Sequence, residues 1–499
     1  MKNLLTNGQK KLDYIVNFLF YGHLFKIYSF FIILVFLTQF SSIGNEVIDW
    51  DETDFILMGN SFYEGNLPYT ELWDLKPPVH FIIIGFTFKI FGPSLLVARL
   101  LGDFLIFLSA ALIYLLTKDI FTNFERVLAG SVYIIFVSFD FSQATMTEFT
   151  ATFFILLSLT FLKNNGDHNF FLSGFALSLS VLTRTNIAFV VIGLLVYFYR
   201  HKVPTKKVIL FLTGGLSPLF TFILIYLFEG ALKKFLYSVF VIPLGNTVIR
   251  ENFLDFITTA LPTIFLDGAF SIQTWFVFLL VSLLVRYFIT TKKNSKKLTI
   301  DLPDIISINV VIFSSILISI LLGGRFFYHY LIQLFPFLSI LLIFLIKNLY
   351  EKQSIVYIVI IFLMFLNILS PAKQSIYNLV NYSEIERNYE IKSFVNYIDS
   401  EKNLLALDNH LIYFYTGIKP ITPVVHPNTI AKVQDYELLL EQLTELGYIV
   451  ENQFNIILEN KPEYLFCEKE CSLYIPESYF KNYTMISKIK NIKLYQLSE

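Results

Sequence analysis

The sequence predicts a polytopic α-helical membrane protein of about eleven transmembrane helices. Helices in its outer-face loops and a small C-terminal α/β domain complete the architecture. Three observations carry this reading. Apolar runs of bilayer-spanning length, ~20 residues each, recur down to about residue 370. Of 499 residues, 55% are hydrophobic and 15% charged, where a soluble chain carries about a quarter charged. After Ser370 the composition turns polar enough for a water-soluble unit. The expected domains are therefore residues 1–370, with a first outer loop at 45–93, and residues 371–499.

The first span covers roughly 27–44. Lys2, Lys10, Lys11 and Lys26 precede it and no small-residue cleavage site closes it, so it reads as an uncleaved helix with its N-terminus inside. Val79–Phe91 is apolar but short for a crossing, and reads as a juxtamembrane or re-entrant helix. Further spans are expected near 94–117, 127–142, 147–163, 168–183, 186–199, 208–228, 272–290, 304–322, 329–346 and 353–370. Counting them places Arg200, Lys202, Lys206 and Lys207 in one cytoplasmic loop and Lys292, Lys293, Lys296 and Lys297 in another. That agrees with the retention of positive charge inside. The first loop, Asp140–Glu148, Phe228–Ser271, Gly323–His329 and the C-terminal domain then face outward. In that domain YEIKSFVNYIDSEK and DYELLLEQLTELGYIV have helical period, while NLLALDNHLIYFY, EYLFCE and NIKLYQL read as strands. The Phe, Tyr, Ile, Lys and Asn content suggests a bacterial source, hence the cytoplasmic (inner) membrane.

Several function classes find no support. A net charge of −1 gives no sign of a nucleic-acid partner. There is no P-loop, no dinucleotide fingerprint, no HExxH and no GxSxG. Cys467 and Cys471 are too few for a zinc framework and read either as a local disulfide or as two free thiols.

The chemistry concentrates in Asn45–Pro78. This loop holds Glu46, Asp49, Asp51, Glu52, Asp54, Glu64, Glu71 and Asp74 against one cation, Lys76. Asp51–Glu52 could bind a cation or act as a general base, and could equally be solvated charge that keeps the loop outside. Lys76, before Pro77 and Pro78, could hold a phosphate or snorkel at the interface. Glu148 falls at the outer start of a helix, where the helix dipole alone favours an acid. Arg184 interrupts two apolar runs and faces either a polar cavity or an outer turn. Arg325, His329 and Tyr330 combine a cation, an imidazole and an aromatic ring at a helix mouth, suited to a sugar or phosphate or to an interfacial belt. All of these fall on one side of the membrane.

The order Asp51-Glu52-x2-Phe55, Gly65-Asn66-Leu67-Pro68-Tyr69, Asp74-Leu75-Lys76-Pro77-Pro78, Phe91-Gly92 and Arg99 resembles the GT-C polyprenyl-phosphate-sugar glycosyltransferases. The nearest branch is that of the aminoarabinose, protein O-mannosyltransferase-like and Rgt-type transferases. The resemblance spans roughly 1–370 and includes Thr147-Glu148, Arg184 and the 325–330 stretch. It implies that Asp51 is the base or orienter for an acceptor hydroxyl, with Glu52 shaping the site. Lys76 then meets the donor phosphate, helped by Arg325 or Arg184. Glu148, Asp74, His329 and Tyr330 are supporting residues; Glu148 stands where Asp is commoner, and Phe55 where Tyr is usual. The implied activity is inverting sugar transfer from a polyprenyl-phosphate donor to a hydroxyl-bearing acceptor, with membrane lipid around it. No cofactor is required, and Asp51, Glu52 and Glu148 leave room for a divalent metal. A lipid-linked sugar flippase is the alternative, and it calls for ionisable groups deep within the spans.

Overall fold

The structure is a computed structural model. It describes residues 24–138, 145–245, 304–323, 327–349, 353–425, 437–450, 452–468, 471 and 475–498. The expected span at 272–290 and Arg325 lie outside the described residues.

The membrane part is a helical bundle. α1 (Leu24–Gln39) runs into a 3-10 turn, Phe40–Gly44. α2 (Trp50–Tyr63) starts where the Asp49 carboxylate accepts the Asp51 N–H at 2.8 Å, the usual side-chain capping of an orphan helix donor. α3 (Val79–Phe91) is launched by Pro77–Pro78 and stopped at Gly92, whose φ of 84° suits glycine. Ser94 caps α4 (Leu95–Leu116), and a Thr122/Glu125 capping box starts α5 (Asn123–Phe136). α6 (Thr147–Lys163), α7 (Asp167–Val181), α8 (Ala188–Arg200) and α9 (Thr205–Phe228) follow. Then come α10 (Asp304–Gly323), α11 (Phe335–Leu349) and α12 (Gln353–Arg387).

Among the described residues five helices are long and apolar enough to cross a membrane: Leu24–Gly44, Leu95–Leu116, Thr205–Phe228, Asp304–Gly323 and Ser354–Tyr397. Val79–Phe91, Thr185–Arg200 and Phe335–Asn348 are shorter apolar helices. α5, at 14 residues, is too short to cross by itself, and every residue from Glu125 to Phe136 is buried. α7 and α9 pack closely enough that a Cβ on Gly174 would overlap the Phe211 carbonyl, and one on Gly214 the Phe171 carbonyl. At the end of the bundle carrying α5's N-terminus, Glu125 takes Lys347 at 3.2 Å and the Tyr357 hydroxyl at 2.8 Å.

The composition shift at residue 370 is not a helix end, because α12 continues through Pro371 to Arg387 with a non-helical residue at Asn381. Beyond it lie β1 (Leu404–Ala406), α13 (Leu411–Thr416), α14 (Glu437–Glu445), α15 (Gln453–Glu459), β2 (Tyr464–Cys467), β3 (Tyr483–Ile489) and β4 (Ile492–Leu497). The strands form one sheet in the order β1-β2-β4-β3. β1 and β2 are parallel, with Leu405 opposite Leu465; the other pairs are antiparallel. Cys467 and Cys471 form a disulfide.

Candidate active site

The site is built on the N-terminal turn of α2 and the loop from Tyr69 to Pro78. The Asp51 carboxylate lies 3.2 Å from the Lys76 ammonium, with the two side chains 19% and 23% exposed. The pair is thus partly shielded, yet open to a ligand. Asp74, buried, accepts the Lys76 N–H at 2.7 Å, and the Tyr69 hydroxyl donates to the Lys76 carbonyl. The lysine backbone is therefore fixed at both polar atoms, while its ammonium sits 5.8 Å above the Phe55 ring. Burial alone would lower the Lys76 pKa. The Asp51 and Asp74 charges outweigh it and hold the ammonium above its usual range.

Glu52 is the next residue on α2 and is differently engaged. It forms an ion pair with Arg99 of α4 at 2.9 Å, both side chains 2% exposed, and accepts the Thr145 N–H at 2.9 Å. Arg99 also donates to the carbonyls of Ser42, Asn45 and Glu46. One fork thereby ties the end of α1 and the chain entering α2 to α4, and fixes where Asp51 stands.

A second ion pair lies on α6. Glu148 is buried and meets Arg184, whose Nη1 also donates to the Thr147 hydroxyl at 3.0 Å. Arg184 is itself buried, beyond the C-terminus of α7, with its guanidinium 4.7 Å from the Tyr330 ring centre. His329 Nε2 lies 3.7 Å from Glu148, and burial holds the imidazole below its ordinary pKa against the pull of that carboxylate. Asn186 extends this group by donating to Ser319 and Gln333.

Asp51, Asp74 and Lys76 thus come together, as do Glu148, Arg184, His329 and Tyr330, while Glu52 is committed to Arg99. Glu52 and Glu148 are each occupied by an arginine. No group of three or more His, Cys, Asp or Glu is arranged to hold a metal ion among the described residues. These residues do not fit a divalent metal, and no step below is routed through one.

Sequence reasoning missed several contributors. Asp54, in sequence only one more acid of the loop, is 1% exposed with neither carboxyl oxygen hydrogen-bonded. Burial first, then the Asp74, Asp51 and Asp49 charges, raise its pKa well above the carboxylate range, opposed by Lys76. Asp49 is pushed to about 7 by burial and by Asp51. Glu46 accepts the N–H groups of Ile391 and Lys392 at 2.7 and 2.9 Å, docking the chain beyond α12. His80 is wholly buried, with Nε2 facing the Thr145 carbonyl at 3.2 Å and Nδ1 the Thr150 hydroxyl at 2.8 Å. A carbonyl only accepts, so Nε2 carries the proton and Nδ1 accepts from Thr150. One signal was available: Asp54 follows Asp51 by one helical turn and so shares its face.

Residues 75–226 match the family of dolichyl-phosphate-mannose-protein mannosyltransferases. A search of curated protein sequences finds no match. Among solved structures, ArnT from Cupriavidus metallidurans bound to undecaprenyl phosphate superposes with a TM-score of 0.59 at 12% identity, covering 94% of this chain and 97% of that one. The apo form of ArnT gives 0.57 at 13% identity over 89% and 92%. The Archaeoglobus fulgidus oligosaccharyltransferase gives only 0.45 at 11% identity, over 92% and 71%. The first loop motifs, the match over residues 75–226 and a superposition over nearly the whole chain lead to one conclusion: this protein has the GT-C glycosyltransferase fold.

Proposed function

We propose that the protein is an inverting hexosyl- or pentosyltransferase. It moves a sugar from a polyprenyl-phosphate donor to a hydroxyl of a lipid, glycan or protein acceptor at the outer face of the bacterial cytoplasmic membrane. The observation that carries this reading is the part-exposed Asp51–Lys76 pair, with Asp74 fixing the lysine backbone. The undecaprenyl phosphate in the ArnT structure supports the donor class. The Cys467–Cys471 disulfide supports an oxidising, outer location for the C-terminal region. Eleven crossings with the N-terminus inside complete the proposed topology.

The acceptor oxygen attacks the anomeric carbon as the bond from that carbon to the phosphate oxygen breaks. Its electron pair stays on the phosphate, and the acceptor proton goes to Asp51. The donor diester bears one negative charge and the departing lipid phosphate two, so a cation beside it favours the transition state over the ground state. The phosphate leaves already charged, and no general acid is needed, unlike a glycoside hydrolase pair. In the free protein Lys76 neutralises Asp51. The incoming phosphate shares that ammonium with Asp51, which stands beside it to take the acceptor proton. Arg184, held by Glu148, orients the second wall; Arg325 is proposed to assist at the phosphate.

A flippase would need ionisable groups exposed along a path within the spans, whereas this cluster lies in the first loop and at helix ends. The test is purified protein with a panel of polyprenyl-phosphate sugars and acceptor, scored for release of lipid phosphate. Asp51→Asn should lose ~10²-fold or more of turnover with its fold retained, the contribution of a positioned base. Turnover with no donor, and binding of none, overturns the reading.

A further inference from the structure

The Lys76 loop is held from the C-terminal region as well as from the membrane helices. Trp73 N–H donates to the Pro423 carbonyl at 2.7 Å, and Val425 N–H returns a bond to the Trp73 carbonyl at 3.3 Å. Trp73 and Val424 pair as a short parallel bridge. Tyr448, just beyond α14, is buried and donates its hydroxyl to the Tyr69 carbonyl. Its ring packs 6.2 Å from Trp73, with the Lys234 ammonium 4.5 Å from its centre. From below, the Tyr226 hydroxyl donates to the Pro68 carbonyl at 2.9 Å and Trp73 Nε1 to Ser238 at 2.8 Å.

Tyr69 is the junction. It is wholly buried and has a φ of 70°, a region that bulky residues seldom occupy. Such a backbone persists where its surroundings dictate it. The Tyr69 carbonyl is held by Tyr448, its N–H donates to the Leu72 carbonyl at 3.1 Å, and its own hydroxyl donates to the Lys76 carbonyl. Two hydrogen bonds and one intervening residue therefore link the C-terminal region to the backbone of the loop's cation.

We infer that Tyr448 is a positioning residue for Lys76, acting through Tyr69, so that the C-terminal region sets how the phosphate-binding ammonium is presented. This rests on the reading that Lys76 meets the donor phosphate. Tyr448→Phe removes the hydroxyl and leaves the ring that packs on Trp73. Tyr69→Phe removes the next link. The full-length single and double variants are compared with the parent by hydrogen exchange of the segment 69–78 and by binding of undecaprenyl phosphate.

Each single variant should exchange faster in that segment and bind the lipid phosphate about fivefold more weakly, the loss of one ordinary hydrogen bond. The double variant should be no worse than the poorer single, because both act on one chain of contacts. Unchanged exchange in Tyr448→Phe, or a double loss equal to the product of the two singles, overturns the inference. A parent protein that binds no lipid phosphate overturns the donor reading instead, and the exchange measurement still decides the coupling.

Discussion

Arg99→Met and Glu52→Gln remove the two halves of one buried ion pair, and the structure predicts unequal costs. In Glu52→Gln the guanidinium keeps the carbonyls of Ser42, Asn45 and Glu46, and the new amide oxygen still accepts from it. Its counter-charge is gone, at a cost of ~3 kcal/mol, the lower end for breaking a buried pair. In Arg99→Met the Glu52 carboxylate retains only the Thr145 N–H, and the Asn45 and Glu46 carbonyls lose this donor, while the Ser42 carbonyl keeps the Asn45 N–H at 2.9 Å. At roughly 1 kcal/mol for each of these two part-buried acceptors, added to ~3 kcal/mol for the stranded carboxylate, the total reaches about 5 kcal/mol. Arg99→Lys should fall near Arg99→Met, since one ammonium cannot serve a carboxylate and three carbonyls spread along residues 42–46.

The assay is unfolding in detergent followed by tryptophan fluorescence, alongside turnover at a temperature where each variant is folded. Turnover should fall in the same order, because this fork anchors the chain that enters α2 and so places Asp51. Equal costs for the two variants, or costs below ~1 kcal/mol for both, would show that the pair is not the anchor described.

Arg184→Lys should abolish most turnover, because the arginine serves Thr147, Glu148 and the Tyr330 face together, which one ammonium cannot reproduce; parent-like turnover would remove it from the site. Gly174→Ala and Gly214→Ala should each lose ~1–3 kcal/mol in the same unfolding assay. Overlap with a backbone carbonyl of the facing helix exceeds the gain in helix propensity, and a stabilised variant would mean that α7 and α9 pack less closely.

The sequence conveyed the membrane class and the limits of α3 because hydropathy and proline punctuation are local signals. Burial of the loop acids was not local. Glu46 and Asp54 look alike as letters in an acidic loop. One is held by backbone donors at 391 and 392, the other is enclosed by α2's neighbours, and each depends on partners far along the chain. The same holds for Arg184, whose carboxylate partner is 36 residues away, and for Tyr448, whose link to Tyr69 spans 379. Nothing in the 47-residue spacing of Glu52 and Arg99 implies their contact.

The charge of the site poses the remaining physical problem. Asp51, Asp54 and Asp74 act on the Lys76 ammonium, with Asp49 beside Asp51, and four ionised carboxylates would repel the proposed anionic donor. Burial offers a resolution, because it raises the Asp54 pKa well above the carboxylate range and pushes that of Asp49 to about 7. For Asp54 the sign follows directly. Its pKa is raised on folding, so the folded state binds the proton more tightly, and stability falls as pH climbs above the unfolded carboxylate range. Asp54→Asn has no such charge to suppress. It should match the parent near pH 3, below the unfolded carboxylate pKa, and become progressively the more stable protein towards pH 8. The comparison is denaturant unfolding of both proteins across that range. A stability difference that stays flat with pH would mean that Asp54 is ionised and paired. Lys76 would then face a further negative charge, and an incoming phosphate would have to compete with three carboxylates rather than two.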